Sequence, residues 1–169
     1  GVIETIINYK DNKENGYTYY YDEQGILTGK EYYKNGKRDG KSYSYYPNGK
    51  IEAIDNYKQD KVHNKSIEYY ENGSVRLESN CKNGSLHGTS KYYWENGKIA
   101  FSGSYVEGMR NGPFRFYDIE GKLIKVINIA NGKAVSGYNI NNQGNREEFT
   151  KEELKLSNYQ LSHIGGKVS

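Results

Sequence analysis

Turn signals recur along this chain with an alternating step of 11 and 13 residues, and no other feature limits its fold so strongly. The turn glycines are Gly25, Gly36, Gly49, Gly73, Gly84, Gly97, Gly108, Gly121 and Gly132, with Asp60 in the remaining slot. Two turns per 24 residues make one unit a β-hairpin and the chain an array of hairpins. Six of the turns are Asn-Gly, at Asn35, Asn48, Asn72, Asn83, Asn96 and Asn131. Asn-Gly is the strongest short-range hairpin signal, because a type I′ turn needs positive φ at both central residues.

Three further columns keep the same period. Gly16, Gly40, Asn64, Gly88, Gly112 and Ser136 form one; Tyr21, Tyr45, Tyr69, Tyr93 and Tyr117 form a second; Tyr9, Tyr33, Tyr57, Cys81, Tyr105 and Ile129 form a third. Two-residue turns set an expected register in which Tyr46 faces Ile51, Tyr45 faces Glu52 and Tyr33 faces Arg38. One face then carries Tyr46, Ile51, Tyr57, Tyr70, Val75, Leu77, Cys81, Trp94, Ile99, Phe101 and Tyr105, and the other carries Tyr45, Tyr69 and Tyr93 beside Glu52, Arg76 and Ala100. Gly40, Gly88 and Gly112 are each expected to lie diagonal to an aromatic, or to Cys81, on the neighbouring strand, the missing side chain leaving room for a tyrosine ring. The product is an all-β, elongated single-layer antiparallel meander of roughly 10–12 strands. The array is expected over residues 1–144, in about five to six units, followed by a cap or tail over 145–169.

Composition agrees. With 34% apolar residues, 19 Tyr, 20 Gly and 2 Pro, the chain suits short strands and tight turns better than a thick aliphatic core. A net charge of only +3 and many aromatics argue against disorder. Cys81 is the one cysteine, so no intrachain disulfide can form. No apolar run approaches the ~20 residues of a membrane-spanning helix. The chain starts at Gly1, and an upstream export signal would decide between a cytoplasmic and an exported location.

The strings GKSYSYYPNG, NKSIEYYENG and GTSKYYWENG, with the linking strings YKNGKRDG and YVEGMRNG, resemble the MORN-repeat variant of bacterial proteins over about residues 9–144. Cys81 in a tyrosine slot, Asn64 in a glycine slot and Asp118 after Tyr117 depart from that pattern. The resemblance implies an elongated single-layer β structure with protein-binding, lipid-binding or self-association roles. It also implies an antitoxin-component-like role by similarity to some relatives.

Beyond the array, Thr150 and Glu153 form a capping box, with Phe149 and Leu154 as a hydrophobic staple. A helix over about 151–162, stopped at Gly165-Gly166, is expected to cover the last strand's open edge. The rival is a strand over 145–151.

Catalytic chemistry is not evident. His63 and His87 share a column with Asn15, Asp39 and Asn111, so a turn-proximal polar slot explains them better than a metal site. Cys81 reads as a small buried apolar group. No phosphate loop or nucleophile elbow occurs. The reading is of a non-enzymatic binding or scaffold protein with no cofactor and no metal. Its candidate binding surface is the row Tyr21, Tyr45, Tyr69, Tyr93 and Tyr117 together with Tyr46, Tyr70 and Trp94. A candidate anion-contacting edge carries Lys34, Lys37, Lys58, Lys61 and Lys82. A protein partner comes first, anionic lipid or glycan second; a homodimer or self-associating rod is open, and nucleic acid is disfavoured.

Overall fold

The computed structural model describes residues 3–163. The chain is an all-β hairpin array: a sheet of sixteen strands, entirely antiparallel, runs as an unclosed meander from Thr5–Ile6 to Arg146–Glu148. The long strands include Gly16–Tyr21, Leu27–Lys34, Lys37–Tyr45, Ile51–Lys58, Asn64–Tyr69, Val75–Lys82, Gly88–Tyr93 and Ile99–Val106. Lys61–Val62, Ser85–Leu86 and Met109–Arg110 are short returning strands at hairpin tips.

The alternation of 11 and 13 residues reflects two different turns rather than one. At the tips, both central residues have positive φ, as in Asn35 (53°) with Gly36 (79°) and Asn83 (54°) with Gly84 (89°). These are two-residue type I′ turns, and Tyr33 pairs with Arg38 as expected. At the other end only the glycine is left-handed. The Tyr46 N–H donates to the Lys50 carbonyl and the Gly49 N–H to the Tyr46 carbonyl, so Pro47, Asn48 and Gly49 form a three-residue loop. Tyr45 therefore pairs with Ile51, not Glu52, and Tyr46 lies opposite Lys50, not Ile51. A bulge at Glu52 then restores the expected register, with Ser44 opposite Ala53. Register shifts recur at the equivalent place in each unit, skipping Thr28, Glu52, Arg76, Ala100 and Ile124.

The glycine column also has a different cause from the one expected. Gly16, Gly88 and Gly112 have φ of 105°, 93° and 84°, and Asn64 replaces glycine at 65°. A Cβ on Gly112 would meet nothing within 4 Å, and on Gly88 only Asn80 at 3.7 Å. The demand is conformational: after each tip the backbone takes one left-handed step before entering the next strand. Gly16, Gly40, Asn64, Gly88 and Gly112 then sit directly opposite Tyr33, Tyr57, Cys81, Tyr105 and Ile129 on the following strand. Only Gly40 is tight against a ring, that of Tyr32, whose Cδ1 would lie 2.9 Å from an added Cβ.

Glycines that do accommodate rings lie elsewhere. An added Cβ on Gly103 would stand 2.2 Å from Phe114 Cε1, and on Gly137 2.5 Å from Phe149 Cε2. Here aromatic rings lie flat on bare backbone. They belong to the main buried cluster, made of Phe114, Ile127, Ile129 and Ala134 with Tyr105, Phe116, Phe149 and Leu154 packed against it.

Both readings of the tail are realised in sequence. Arg146–Glu148 pairs with the last long strand, Lys133–Ile140, and helix α1, Lys151–His163, follows. The capping box forms: the Glu153 N–H donates to Thr150 Oγ1 at 3.2 Å and the Thr150 N–H to Glu153 Oε2 at 2.7 Å. The Thr150 N–H, and then the Thr150 hydroxyl that also donates to Glu153 Oε2, hold the Glu153 carboxyl below its usual value. The helix covers the strand edge where Arg146–Glu148 stops. Asn158 accepts the Ala134 N–H at 2.7 Å and donates to the Ala134 carbonyl at 3.3 Å, replacing a missing strand with an amide. The Gly165-Gly166 stop lies outside the described residues.

Two substitutions test this account. Gly103→Ala forces Phe114 off its seat and should cost about 1–3 kcal/mol. Asn158→Ala strands both polar groups of Ala134 and should cost about 1–3 kcal/mol. Both are measurable as shifts in the urea midpoint at unchanged slope.

Candidate functional site

The residues before each three-residue loop form two aromatic rows, and the structure separates their roles. In the row Tyr46, Tyr70 and Trp94, every polar tip is spent on the next unit. The Tyr46 hydroxyl donates to the Tyr69 carbonyl at 2.6 Å, the Tyr70 hydroxyl to the Tyr93 carbonyl at 2.6 Å, and Trp94 Nε1 to the Asp118 carbonyl at 3.0 Å. Burial, reinforced by a hydrogen bond with Tyr92, pushes the Tyr70 hydroxyl up to about 12. This row stitches units together.

The row Tyr21, Tyr45, Tyr69, Tyr93 and Tyr117 is half-buried throughout. Among the described residues, the hydroxyls of Tyr21, Tyr69 and Tyr117 form no hydrogen bond. Tyr93 donates to Glu78 Oε2 at 3.0 Å, and Glu78 also receives Lys65 Nζ at 2.7 Å. Against burial, Tyr45 holds the Lys30 ammonium above its usual range, and Lys30 Nζ stands 5.2 Å from the Tyr17 ring centroid and 4.7 Å from that of Tyr43. Neighbouring row members are two strands apart, about 10 Å, so the row spans about 40 Å. Lysines and carboxylates flank it, which suits an amphipathic contact surface.

The lysine edge forms at the tips. Lys34 pairs directly with Lys37 and Lys58 with Lys61, all exposed, while Lys82 pairs with Ser85. The cationic run then gives way to Val106 opposite Met109, exposed at 44% and 53%. Successive tips stack: the N–H groups of Gly36, Asp60, Gly84, Gly108 and Gly132 donate to the carbonyls of Glu14, Arg38, Val62, Leu86 and Arg110. An open hollow of ≈ 450 Å³ between two tips is lined by Lys82, Asn83, Ser85, His87 and Glu107.

The histidines occupy a backbone slot. The N–H groups of His63 and His87 donate to the Asn56 and Asn80 carbonyls, as those of Asn15 and Asn111 do to Asn8 and Ser104. Among the described residues, no three His, Cys, Asp or Glu side chains converge as a metal set. Cys81 lies opposite Asn64, and burial, with Asp55 nearby, pushes its thiol up.

Sequence reasoning missed two groups. One is an asparagine column: the side-chain amides of Asn8, Asn56 and Asn80 donate to the carbonyls of Tyr17, Lys65 and Thr89, fastening the left-handed step. Its 24-residue recurrence was visible but weaker than that of the tyrosines. The other is a polar cluster around Glu31, whose Oε2 accepts the hydroxyls of Tyr20 at 3.0 Å and Tyr33 at 2.8 Å, and whose Oε1 accepts Arg38 Nη1 at 3.3 Å. Arg38 also lies over the Tyr57 ring, 4.1 Å from its centroid. Burial is the main cause that raises the Tyr33 hydroxyl, and hydrogen bonds to Tyr20 and Glu31 add to it. No periodic pattern announces this cluster, because the equivalents of Glu31 are Asp55, Ser79, Gly103 and Ile127.

Comparison with known proteins gives a family match. The MORN repeat variant matches residues 38–59, 62–83 and 86–107. No curated protein matches the chain. Among solved structures, a Glycosylation Associate Protein complex from Streptococcus agalactiae is similar at 16% identity and TM-score 0.40, over 77% of this chain and 25% of that one. A GtfA/B complex bound to UDP and GlcNAc is similar at 12% identity and TM-score 0.28, over 73% and 25%. A structure of TarM is similar at 16% identity and TM-score 0.21, over 95% and 24%. The chain thus spans about a quarter of the length of each of these proteins.

The Glu78 carboxyl is held below its usual range, first by Lys65 and then by Tyr93, against burial. A depressed carboxyl stabilises above its unfolded pKa and loses that contribution as pH falls through the folded value. Glu78→Gln should remove about 0.2–1 kcal/mol at neutral pH and flatten the acid limb of a stability–pH profile. Cys81 should react with thiol reagents more slowly in the native chain than in urea at pH 8.

Proposed function

Starting from a chain whose residues 38–107 are three consecutive MORN repeats of the variant type, we propose a non-catalytic scaffold that binds a protein partner along the row Tyr21, Tyr45, Tyr69, Tyr93 and Tyr117. MORN repeats are in general binding and scaffold modules rather than enzymes. The observation that carries the reading is the contrast between the two aromatic rows. One row spends its polar tips on the array, and the other keeps three hydroxyls uncommitted on a half-exposed, regularly spaced surface. Tyr at such positions supplies large, rigid contact area with little entropy to lose. An antitoxin-type pairing is one form this binding would take.

The test is recovery of a stoichiometric partner from the source cell by the folded protein. A Tyr45→Ser/Tyr69→Ser variant should lose the partner by tenfold or more, about 1.4 kcal/mol. A folded wild type that recovers nothing, or a variant that binds as well, would overturn the reading.

A second reading has its own observation. Lys34 opposite Lys37 and Lys58 opposite Lys61 place like charges directly across a hairpin, an unfavourable pairing that an anionic partner would relieve. Binding to anionic vesicles or polymer at low salt, lost by 0.5 M salt and by Lys→Gln changes at these four positions, would support it, on the order expected from screening.

A further inference from the structure

Of the eight Asn-Gly pairs, two, Asn15-Gly16 and Asn111-Gly112, lie at the left-handed step after a tip; the six at turns are chemically identical in sequence but divide into two sets in the fold. At the three-residue loops the asparagine amide is pinned. Asn48 Oδ1 accepts the Lys50 N–H at 3.0 Å. Asn72 Oδ1 accepts both the Ser74 N–H at 2.8 Å and the Ser74 hydroxyl at 2.6 Å. Asn96 Oδ1 accepts the Lys98 N–H at 2.9 Å, and its Nδ2 donates to the Ile119 carbonyl at 2.8 Å. At the type I′ tips, Asn35, Asn83 and Asn131 are exposed, and among the described residues their side chains make no hydrogen bond. All three sit at positive φ, at 53°, 54° and 49°.

We propose that Asn35, Asn83 and Asn131 are intrinsic deamidation sites, and that the fold protects Asn48, Asn72 and Asn96 by pinning their amides. The chemistry needs only water. The backbone nitrogen of the following glycine loses its proton and attacks the asparagine Cγ. A C–N bond forms, the bond to the side-chain nitrogen breaks, and that nitrogen leaves as ammonia with the proton. Water then opens the cyclic imide at either carbonyl, giving aspartate or isoaspartate. Glycine permits the reaction because it has no side chain to crowd the attacking nitrogen.

The attacking nitrogen is engaged in both sets, so it does not discriminate between them. At the tips it is bonded to the neighbouring unit, Gly36 to Glu14, Gly84 to Val62 and Gly132 to Arg110, at 2.9, 2.9 and 3.0 Å. In the loops it is bonded within the turn, as Gly49 is to Tyr46 at 2.8 Å. Reaction at a tip therefore requires that tip to lift from its neighbour, a local opening of an exposed hairpin end. Reaction at a loop requires the amide to be freed as well.

The consequences are electrostatic and geometric. Each conversion places a carboxylate at a tip, at Asn35 and Asn83 directly beside Lys34 and Lys82. Three conversions would cancel the formal net charge of +3 and with it much of the repulsion that keeps molecules apart. Isoaspartate routes the main chain through Cβ, which lengthens a two-residue turn and displaces the glycine N–H from its acceptor on the preceding tip. Asp60 shows that a carboxylate itself is compatible with a tip, since its Oδ1 accepts the Arg38 N–H at 2.9 Å.

The experiment incubates the intact purified chain at mildly alkaline pH in ¹⁸O water and follows the six turn sites by peptide mass mapping. Asn35, Asn83 and Asn131 should convert faster than Asn48, Asn72 and Asn96 by about fivefold or more, the factor equivalent to one net hydrogen bond. In concentrated urea the six rates should converge. Ser74→Ala, which removes one of two bonds to Asn72, should raise the rate at Asn72 toward that at Asn48. Equal rates in the folded chain, a lead by the pinned set, or protection of all six until urea is added would each overturn the proposal.

Discussion

A single-layer sheet has no second layer to bury, and the whole structure answers that constraint by making each unit the neighbour's packing partner. The answer is mostly polar and lateral. Tip stacks on tip through one backbone bond per unit, and Tyr46, Tyr70 and Trp94 each reach one unit forward to a carbonyl. Bonds of this kind contribute about 1 kcal/mol each, so the array depends on their regular repetition rather than on any one of them. The 24-residue period is therefore not an ornament of sequence but the condition under which every such bond finds its acceptor.

Much of this was legible, and the failures have identifiable causes. Turn positions, the meander and the capping box followed from residues whose backbone demands are local: Asn-Gly, Thr150 and Glu153. The register beside the loops did not follow, because Asn-Gly serves both a type I′ turn and a type I turn closed by left-handed glycine. Pro47, which favours the second position of a type I turn, was the available clue. The glycine column was assigned to ring packing when it serves a backbone step, while Gly103 and Gly137, outside any noticed column, hold the rings. Space beside a glycine is a tertiary quantity and leaves no periodic trace. The two aromatic rows could be located and assigned to a more polar and a more apolar face, but the bonds of Tyr46, Tyr70 and Trp94 could not be read, since whether a ring's polar atom meets a carbonyl one unit on depends on twist and reach.

One register row across the middle of the sheet shows how a repeat protein departs from its own regularity. It passes through Thr18, Glu31, Ser42, Asp55, Ser66, Ser79, Ser90, Gly103, Phe114 and Ile127. Toward the start it is acidic and hydroxyl-rich, with the tyrosine hydroxyls gathered over Glu31. Through the middle it is small. Toward the end it is apolar and carries the buried cluster against Phe149. The backbone hardly changes along this path, so chemical character varies independently of shape, and a partner lying across the units would meet a different surface at each step.

That gradient also gives the chain a direction in time. The buried aromatic and aliphatic contacts lie late in the array, among strands and a helix that are near one another in sequence. Local contacts form quickly, and an array whose units touch only their neighbours extends from whichever end is first secured. Here the segment best able to start the process follows the polar hairpins in the chain and leaves the ribosome after them. The earlier hairpins, polar and thinly packed, would emerge first and wait as loosely ordered chain until these later units close and the sheet grows backward along it.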